Sequence, residues 1–495
     1  MVIEGLTSVL NVQTIGIIFL GVVLGIIFGA IPGLTSTMGV ALCLPLTFSM
    51  SPLNGIAMLI AIDVGGTSGG LISAILLKIP GTPSSVATVF DGGPMAEKGE
   101  GGRALSIGIV YSFIGTIFSV IALIFIAPTL ARVALKFGPY EFFAICVLAL
   151  TLIGGMAGKS IFKGILSGVI GLLCSLIGVA PVGGAIRFTF GIPALEKGLN
   201  ILPVMIGLFA VSELLKMGFE RGKQSNAKVI PYKMKGLGFT WQEFKDHFVN
   251  MIRSALLGIG IGILPGIGSS TSNLIAYSVA KQRSKHPEKY GTGYMGGIVA
   301  SETSNNASIG GSLIPLLTLG IPGDTVTAII LGGLTLHGII PGPLLFKTSG
   351  VLVYGIFGSF LIATVLMLVT EFGGIRGFVK LLSVPKNYLM PAIFLLCVVG
   401  TFGLNHQISD VWTAIAFGVL GYYMLRYDFP LSPLILGFVL GGIIEENLMR
   451  GLMYADGNFF VFFTSPVAAV CISLAIIYVI YLVVKQIRGK SKRIS

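Results

Sequence analysis

Apolar runs of 17 or more residues recur along the chain from Ile15 to Val484, separated by short polar breaks. Runs of this length read as bilayer crossings. Taken as full crossings they are approximately 53–77, 104–130, 140–157, 164–181, 199–215, 294–320, 349–370, 388–404, 411–425, 431–448 and 464–484. Two other stretches do not fit a single crossing. Residues 13–48 as one helix would be roughly 50 Å long, against a hydrocarbon core of about 30 Å. That stretch is interrupted by Ile31-Pro32-Gly33, where Pro removes a donor and Gly admits a turn. A helical hairpin that enters and leaves on one side is expected. Residues 253–280 repeat the design around Leu264-Pro265-Gly266.

Charge adds sidedness. No Lys or Arg precedes Lys78, so both ends of the first hairpin lack the cytoplasmic mark. The second hairpin is flanked by eight Lys and Arg within 216–253 and four within 281–289, so both of its ends are expected in the cytoplasm. The hairpins then enter from opposite faces. Starting outside and alternating, the outer loops receive six of the 32 Lys and Arg (Arg132, Lys136, Arg187, Lys197, Lys347 and Arg450), and the cytoplasmic side the other 26. The amino terminus is therefore expected in the periplasm and the basic tail 485–493 in the cytoplasm. Composition agrees: 54% of the 495 residues are hydrophobic and 11% charged, with a mean hydropathy of +0.94. The net charge of +12 sits in loops between apolar spans, so topology accounts for it and no nucleic-acid partner is expected. The weakest stretch of this threading is 325–341, apolar enough to enter the membrane again. The amino terminus shows no basic start of a signal peptide. The five cysteines lie scattered within apolar stretches and indicate neither disulfides nor a metal site.

The two halves resemble each other. IPGLTSTMG (31–39) matches LPGIGSSTSN (264–273). Each hairpin is followed by a segment with small and polar residues in its middle, DVGGTSGG (63–70) and SETSNNASIGG (301–311), and then by a second Pro-Gly, in GGLISAILLKIPGT (69–82) and GGSLIPLLTLGIPGD (310–324). Five crossings in the first half place the second copy on the opposite face. The expected fold is an all-α polytopic membrane protein of two inverted-topology repeats, each with a re-entrant hairpin and a discontinuous helix, with about 11 full spans and 2 hairpins. Residues 1–217 form the first repeat, 218–250 a basic linker along the cytoplasmic surface, 251–448 the second repeat, and 449–495 an extra span with a basic tail. Such architecture places a binding site near the midplane, where broken helices expose N–H groups at one stub and C=O groups at the other. N-terminal stubs attract an anion and C-terminal stubs a cation.

Candidate residues follow. Thr35, Ser36, Thr37, Ser269, Ser270, Thr271 and Asn273 occupy the hairpin tips and are expected to contact substrate or ion, with helix capping as the competing role. Thr67, Ser68, Thr303, Ser304, Asn305 and Asn306 occupy segments expected to be unwound, and the two adjacent amides are the sharpest candidate there because apolar spans must satisfy them. Asp63, Glu302 and Thr303 are candidates for a coupling cation, since an intramembrane acid marks a cation or proton site. Asp324 and Lys78 adjoin the second Pro-Gly breaks and are expected at the membrane surface, as are Glu445 and Glu446 near an outer span end. Gly158-Lys159-Ser160 lacks the glycine a phosphate loop needs at position 153, which is Ile, so ATP hydrolysis is not expected.

At these motifs the sequence resembles the large membrane subunit of the tripartite tricarboxylate transporter family. The most specific matches are GGLISAILLKIPGTPSSVATVFDGGPMAEKGEGGRAL (69–105), RFTFGIPALEKG (187–198), ETSNNASIGGSLIPLLTLGIPGD (302–324) and LHGIIPGPLLF (336–346). The resemblance implies a permease of the bacterial inner membrane working with a small four-helix membrane subunit and a periplasmic substrate-binding protein. It implies uptake of tri- or dicarboxylates with Na+ or H+, no other cofactor, and no enzymatic activity. The chain departs from the family at Asp63–Ser68, where a tyrosine-containing run is common, so the resemblance does not fix the substrate. A passive anion channel and an intramembrane enzyme are the alternatives. The enzyme would require paired acids, a Ser/Lys arrangement or a His cluster inside the spans.

Overall fold

The computed structural model describes residues 2–156, 160–219, 229–234, 236–382 and 386–491. Gly158 and Lys159 of the rejected phosphate-loop motif, much of the basic linker and the end of the tail lie outside them. The regular structure of the described chain is helical apart from one two-stranded pairing of Gly178–Val179 with Ile186–Arg187.

In chain order the first half contains α1 (Val2–Ser8), α2 (Val12–Ala30), α3 (Ser36–Thr47), α4 (Pro52–Leu76), α5 (Val86–Met95), α6 (Gly101–Ala134), α7 (Pro139–Met156) and α8 (Ile161–Ser175). A helix over 201–219 follows, made of α9 (Ile201–Met205), a π-helical stretch and α10 (Ser212–Phe219). The second half contains α11 (Trp241–Ile263), α12 (Gly268–Arg283), α13 (Met295–Leu319), α14 (Thr325–Leu336), α15 (Leu345–Thr348), α16 (Gly350–Leu381), α17 (Lys386–Asn405), α18 (Ile408–Arg426) and α19 (Leu431–Tyr454), before α20 (Pro466–Ser491). Among the described residues seven helical stretches are long and apolar enough to cross a membrane, and several shorter apolar helices accompany them. Large apolar side chains such as Phe125, Val369 and Val470 point outward, as contact with lipid hydrocarbon requires.

The helix breaks fall where local chemistry demands them. After α2 the chain turns through Pro32 and Gly33, whose φ of +95° is open to glycine, and Thr35 restarts a helix by accepting the Met38 N–H at 3.1 Å. After α11 it turns through Pro265 and Gly266 (φ +81°). Two later breaks, at Ile79-Pro80-Gly81 and Ile321-Pro322-Gly323, separate α4 from α5 and α13 from α14. The α14 restart is a capping box, with Asp324 Oδ1 accepting the Thr327 N–H at 2.8 Å and Thr327 Oγ1 accepting the Asp324 N–H at 2.8 Å.

One expectation is corrected here. Segments 63–70 and 301–311 are not unwound: α4 and α13 run through them as continuous helices. Their small residues serve close packing instead: a Cβ on Gly65 would stand 2.3 Å from Val22 O, and one on Gly311 2.6 Å from Ile259 O. A Cβ added to Gly25 would stand 2.3 Å from Ile62 O, and one on Gly29 2.2 Å from Gly66 O, so α2 and α4 meet backbone to backbone. Helices α11 and α13 repeat this, with Gly258 against Ser304 O at 2.3 Å and Gly262 against Ser308 O at 2.5 Å. The matched residues keep one sequence offset along α2 and α11 and another along α4 and α13. The later breaks correspond too. A Cβ on Gly81 would stand 2.2 Å from Gly29 O, and one on Gly323 2.7 Å from Gly262 O.

The halves also exchange contacts: α3 packs on α14, and α12 packs on the turn Pro83–Ser85 that leads into α5. Asp91, wholly buried on α5, accepts the N–H groups of Gly291, Gly293 and Tyr294 and the Tyr277 hydroxyl, at 2.8–2.9 Å. One carboxylate therefore ties the first half to the entry of α13. The linker expectation also changes. Its second part forms the first turns of α11, begun by a capping box of Thr240 and Glu243, so α11 starts well before residue 253. Ile230 before it donates to Leu76 O at 3.0 Å, which lays residues 229–234 over the end of α4.

Candidate functional site

Four helix starts meet at one cavity of about 330 Å³. Thr35, Ser36 and Thr37 open α3; Thr82, Pro83 and Ser84 lead into α5; Gly266 to Ser270 open α12; Asp324, Thr325 and Val326 open α14. Both hairpin tips and both later Pro-Gly breaks thus share one wall. In the second half they touch directly, the Gly266 N–H donating to Gly323 O at 2.6 Å. The remaining wall comes from Leu208, Phe209, Ser212 and Glu213 and from Leu425 and Pro430–Ser432.

Each start carries backbone N–H groups that its own helix cannot satisfy, and each aligned helix places partial positive charge there. At α12 the N-cap residue Ile267 offers no side-chain cap, and Ser269 and Ser270 add hydroxyls beside these groups. At α3 the Thr35 cap takes only the Met38 N–H. Among the described residues no Lys or Arg lines the cavity, whose acids are Asp324 and Glu213, the latter paired with Lys216 at 3.2 Å. Converging N–H dipoles and hydroxyls suit an anion, and a carboxylate at the rim suits a cation beside it. The volume lies within the range of about 300–1,000 Å³ usual for small-ligand pockets.

Thr35, Ser36, Thr37, Ser269 and Ser270 line this cavity, as their tip positions imply. Thr271 sits half-buried on α12 outside it, and Asn273 is wholly buried, donating to Ser84 O. The mid-helix candidates lie deeper. Asn305 donates to the same Ser84 oxygen at 2.9 Å and to Glu302 Oε2 at 3.3 Å. Asn306 donates to Asn305 Oδ1 at 2.8 Å and accepts from Thr116 at 3.3 Å. Asn305 and Asn273 therefore brace the turn that carries Ser84 and do not face the cavity, which corrects the placement expected for the two amides. Ser304 exchanges hydrogen bonds with Ser272 across α12 and α13. The Thr303 hydroxyl is buried and finds no partner among the described residues.

The acids separate by surroundings. Glu302, wholly buried, collects hydroxyls from Thr88 and from Ser112 at 3.0 Å besides the Asn305 amide. Asp63 accepts from Thr67 at 3.4 Å and lies within electrostatic range of Asp324. Asp324, expected at the membrane surface, lines the cavity. Lys78 is at the surface, paired with Glu97 at 2.5 Å. Glu445 and Glu446 pair with Arg187 and Arg450, each at 2.7 Å. Ser68 donates at 2.8 Å to Glu371, a wholly buried acid on α16 that the sequence reading had left at the edge of a span ending at 370. The missed polar cavity residues are Thr82, Ser84, Ser212, Glu213, Asp324, Thr325 and Ser432. The matching second Pro-Gly motifs were the signal that could have found four of these.

The family model points to a transport protein. The family model described as "Tripartite tricarboxylate transporter TctA family" matches residues 15–436. An Agrobacterium vitis protein described as "Uncharacterized 52.8 kDa protein in TAR-I ttuC' 3'region" is 37% identical over 476 residues, which is 96% of this chain and 94% of that one. A second from the same organism, "Uncharacterized protein in TAR-II ttuC' 3'region", is 38% identical over 234 residues, 47% of this chain and 97% of its own. No solved structure matches. The chain belongs to the tripartite tricarboxylate transporter TctA family of membrane transport proteins.

Proposed function

We propose that the protein is the permease subunit of an importer that moves a small di- or tricarboxylate by cation symport. The observation that carries this reading is the convergence of four helix N-termini on one cavity that no Lys or Arg lines among the described residues. Such a site binds an anion through many modest dipoles, and what binds modestly can be released. Asp324 at the same wall supports a cation travelling with the substrate, Na+ or H+. A periplasmic binding protein delivers the carboxylate, and a small four-helix subunit completes the complex in the bacterial inner membrane. The amino terminus is periplasmic, the carboxyl terminus cytoplasmic, and the two halves are inverted repeats with re-entrant hairpins. Recurrence of the glycine contacts between α2 and α4 in α11 and α13 supports the repeat. Movement of the hairpins and α4 and α13 against the outer helices exposes the cavity alternately, an elevator-like motion proposed by analogy.

The test is uptake into proteoliposomes with the cognate binding protein, over a panel of carboxylates, with Na+ and H+ gradients imposed separately. Uptake is expected to saturate, to be stimulated by carboxylate on the far side, and to respond to at least one gradient. Flux without saturation or trans-stimulation would instead mark a channel.

A further inference from the structure

We propose that Glu371 is the proton-binding group of this carrier, taking a proton on one side of the cycle and releasing it on the other. The proposal rests on the symport reading above and names its ion and its residue. Glu371 lies two-thirds of the way along the 32-residue α16 and is 0% exposed. Ser68 on α4 donates to its Oε2 at 2.8 Å, while Oε1 has no hydrogen-bond partner among the described residues. No ion pair to it occurs among them either. Glu302 makes the contrast plain: three side-chain donors surround that carboxylate and one meets Glu371. A buried carboxylate so poorly matched costs far more than a neutral carboxyl, which needs a partner for one hydrogen only. A metal ion would demand a shell of oxygens, whereas a proton needs a single acceptor, and Ser68 Oγ stands ready to be that acceptor.

The charged and titratable groups on the elements packed against α16 are Glu4 on α1, Asp63 on α4, Arg103, Tyr111 and Arg132 on α6, and Lys347 on α15; α2 has none. Tyr354, Arg376 and Lys380 share α16 itself, and Glu302 on α13 lies within electrostatic range. A cavity of about 760 Å³ between α6, Met234, Gly236, Leu237 and α16 is lined by Leu368, Phe372 and Ile375, which flank Glu371 along the helix. Ser68 belongs to α4, the helix that the first hairpin packs on, and α16 packs against both α2 and α4. Relative movement of α4 and α16 would open the Ser68–Glu371 contact. In the step itself the carboxylate accepts a proton from hydronium, leaving water and a neutral carboxyl, and the reverse occurs at the other face.

The experiment compares wild type, Glu371→Gln and Glu371→Asp in proteoliposomes with the binding protein, in both counterflow and gradient-driven uptake. One unit of pH gradient can support up to about tenfold accumulation per proton. Wild type is expected to show that response. Glu371→Gln is expected to lose it while still exchanging carboxylate, and Glu371→Asp to keep it. A full response in Glu371→Gln would overturn the proposal. So would a wild type driven by Na+ alone, or equal loss of counterflow in both variants, which marks a structural role. Trans-stimulated counterflow by wild type keeps the carrier reading standing in each of these cases.

Discussion

At the scale of single residues, the hydroxyls divide into those that face the cavity and those that hold its wall. Ser269 and Ser270 stand at an uncapped helix start on the cavity, while Asn305 and Asn273 reach the back of Ser84. A hydrogen bond to a charged group contributes about 1.5–3 kcal/mol. Replacing both serines by Ala is therefore expected to raise the apparent KM for carboxylate by roughly tenfold or more, with kcat and expression close to wild type. Uptake kinetics check this, and an unchanged KM would remove the two from the site. The sequence made these serines legible because Pro-Gly marks a tip. It did not reveal the roles of Asn305, Asn306 and Glu371, because burial in an apolar span is the same demand whether the partner is substrate or another helix. Only the positions of Ser84, Thr116 and Ser68 across the helix interfaces decide between them.

At the scale of elements, the four Pro-Gly motifs could be read as breaks, and two of them as hairpin turns. The small, polar middles of α4 and α13 were misread as unwound. Glycine in a helix weakens it in water, but here Gly65, Gly69, Gly310 and Gly311 sit on carbonyls of the neighbouring helices, so the same composition signals intimate packing. A test follows from the geometry. Gly262→Ala puts a methyl 2.5 Å from Ser308 O, which no side-chain rotation relieves, whereas Gly442→Ala on α19 meets nothing within 4 Å. Overpacking of this kind costs about 1–3 kcal/mol. Gly262→Ala is expected to lower the melting temperature and slow uptake, and Gly442→Ala to leave both near wild type. Equal effects, read by thermal unfolding in detergent and by uptake, would show that the contact is not what holds α11 to α13.

At the scale of the molecule, hydrophobic patterning announced a bundle of membrane helices and charge announced a sidedness for each loop. What patterning could not announce is that tips distant in sequence, at Thr35 and Ser269, share one cavity with the later breaks. That convergence depends on α3 crossing to α14 and α12 crossing to the start of α5, contacts between halves that no local motif encodes. It is also the basis for treating the two halves as one binding unit. The measurement that tests this most directly is substrate protection of single cysteines, Ser36→Cys and Ser269→Cys, each in a background with the five native cysteines replaced. A transported carboxylate is predicted to slow thiol modification at both positions with the same concentration dependence. Protection at one position only, or at neither while uptake persists, would contradict a single anion site held between the two tips.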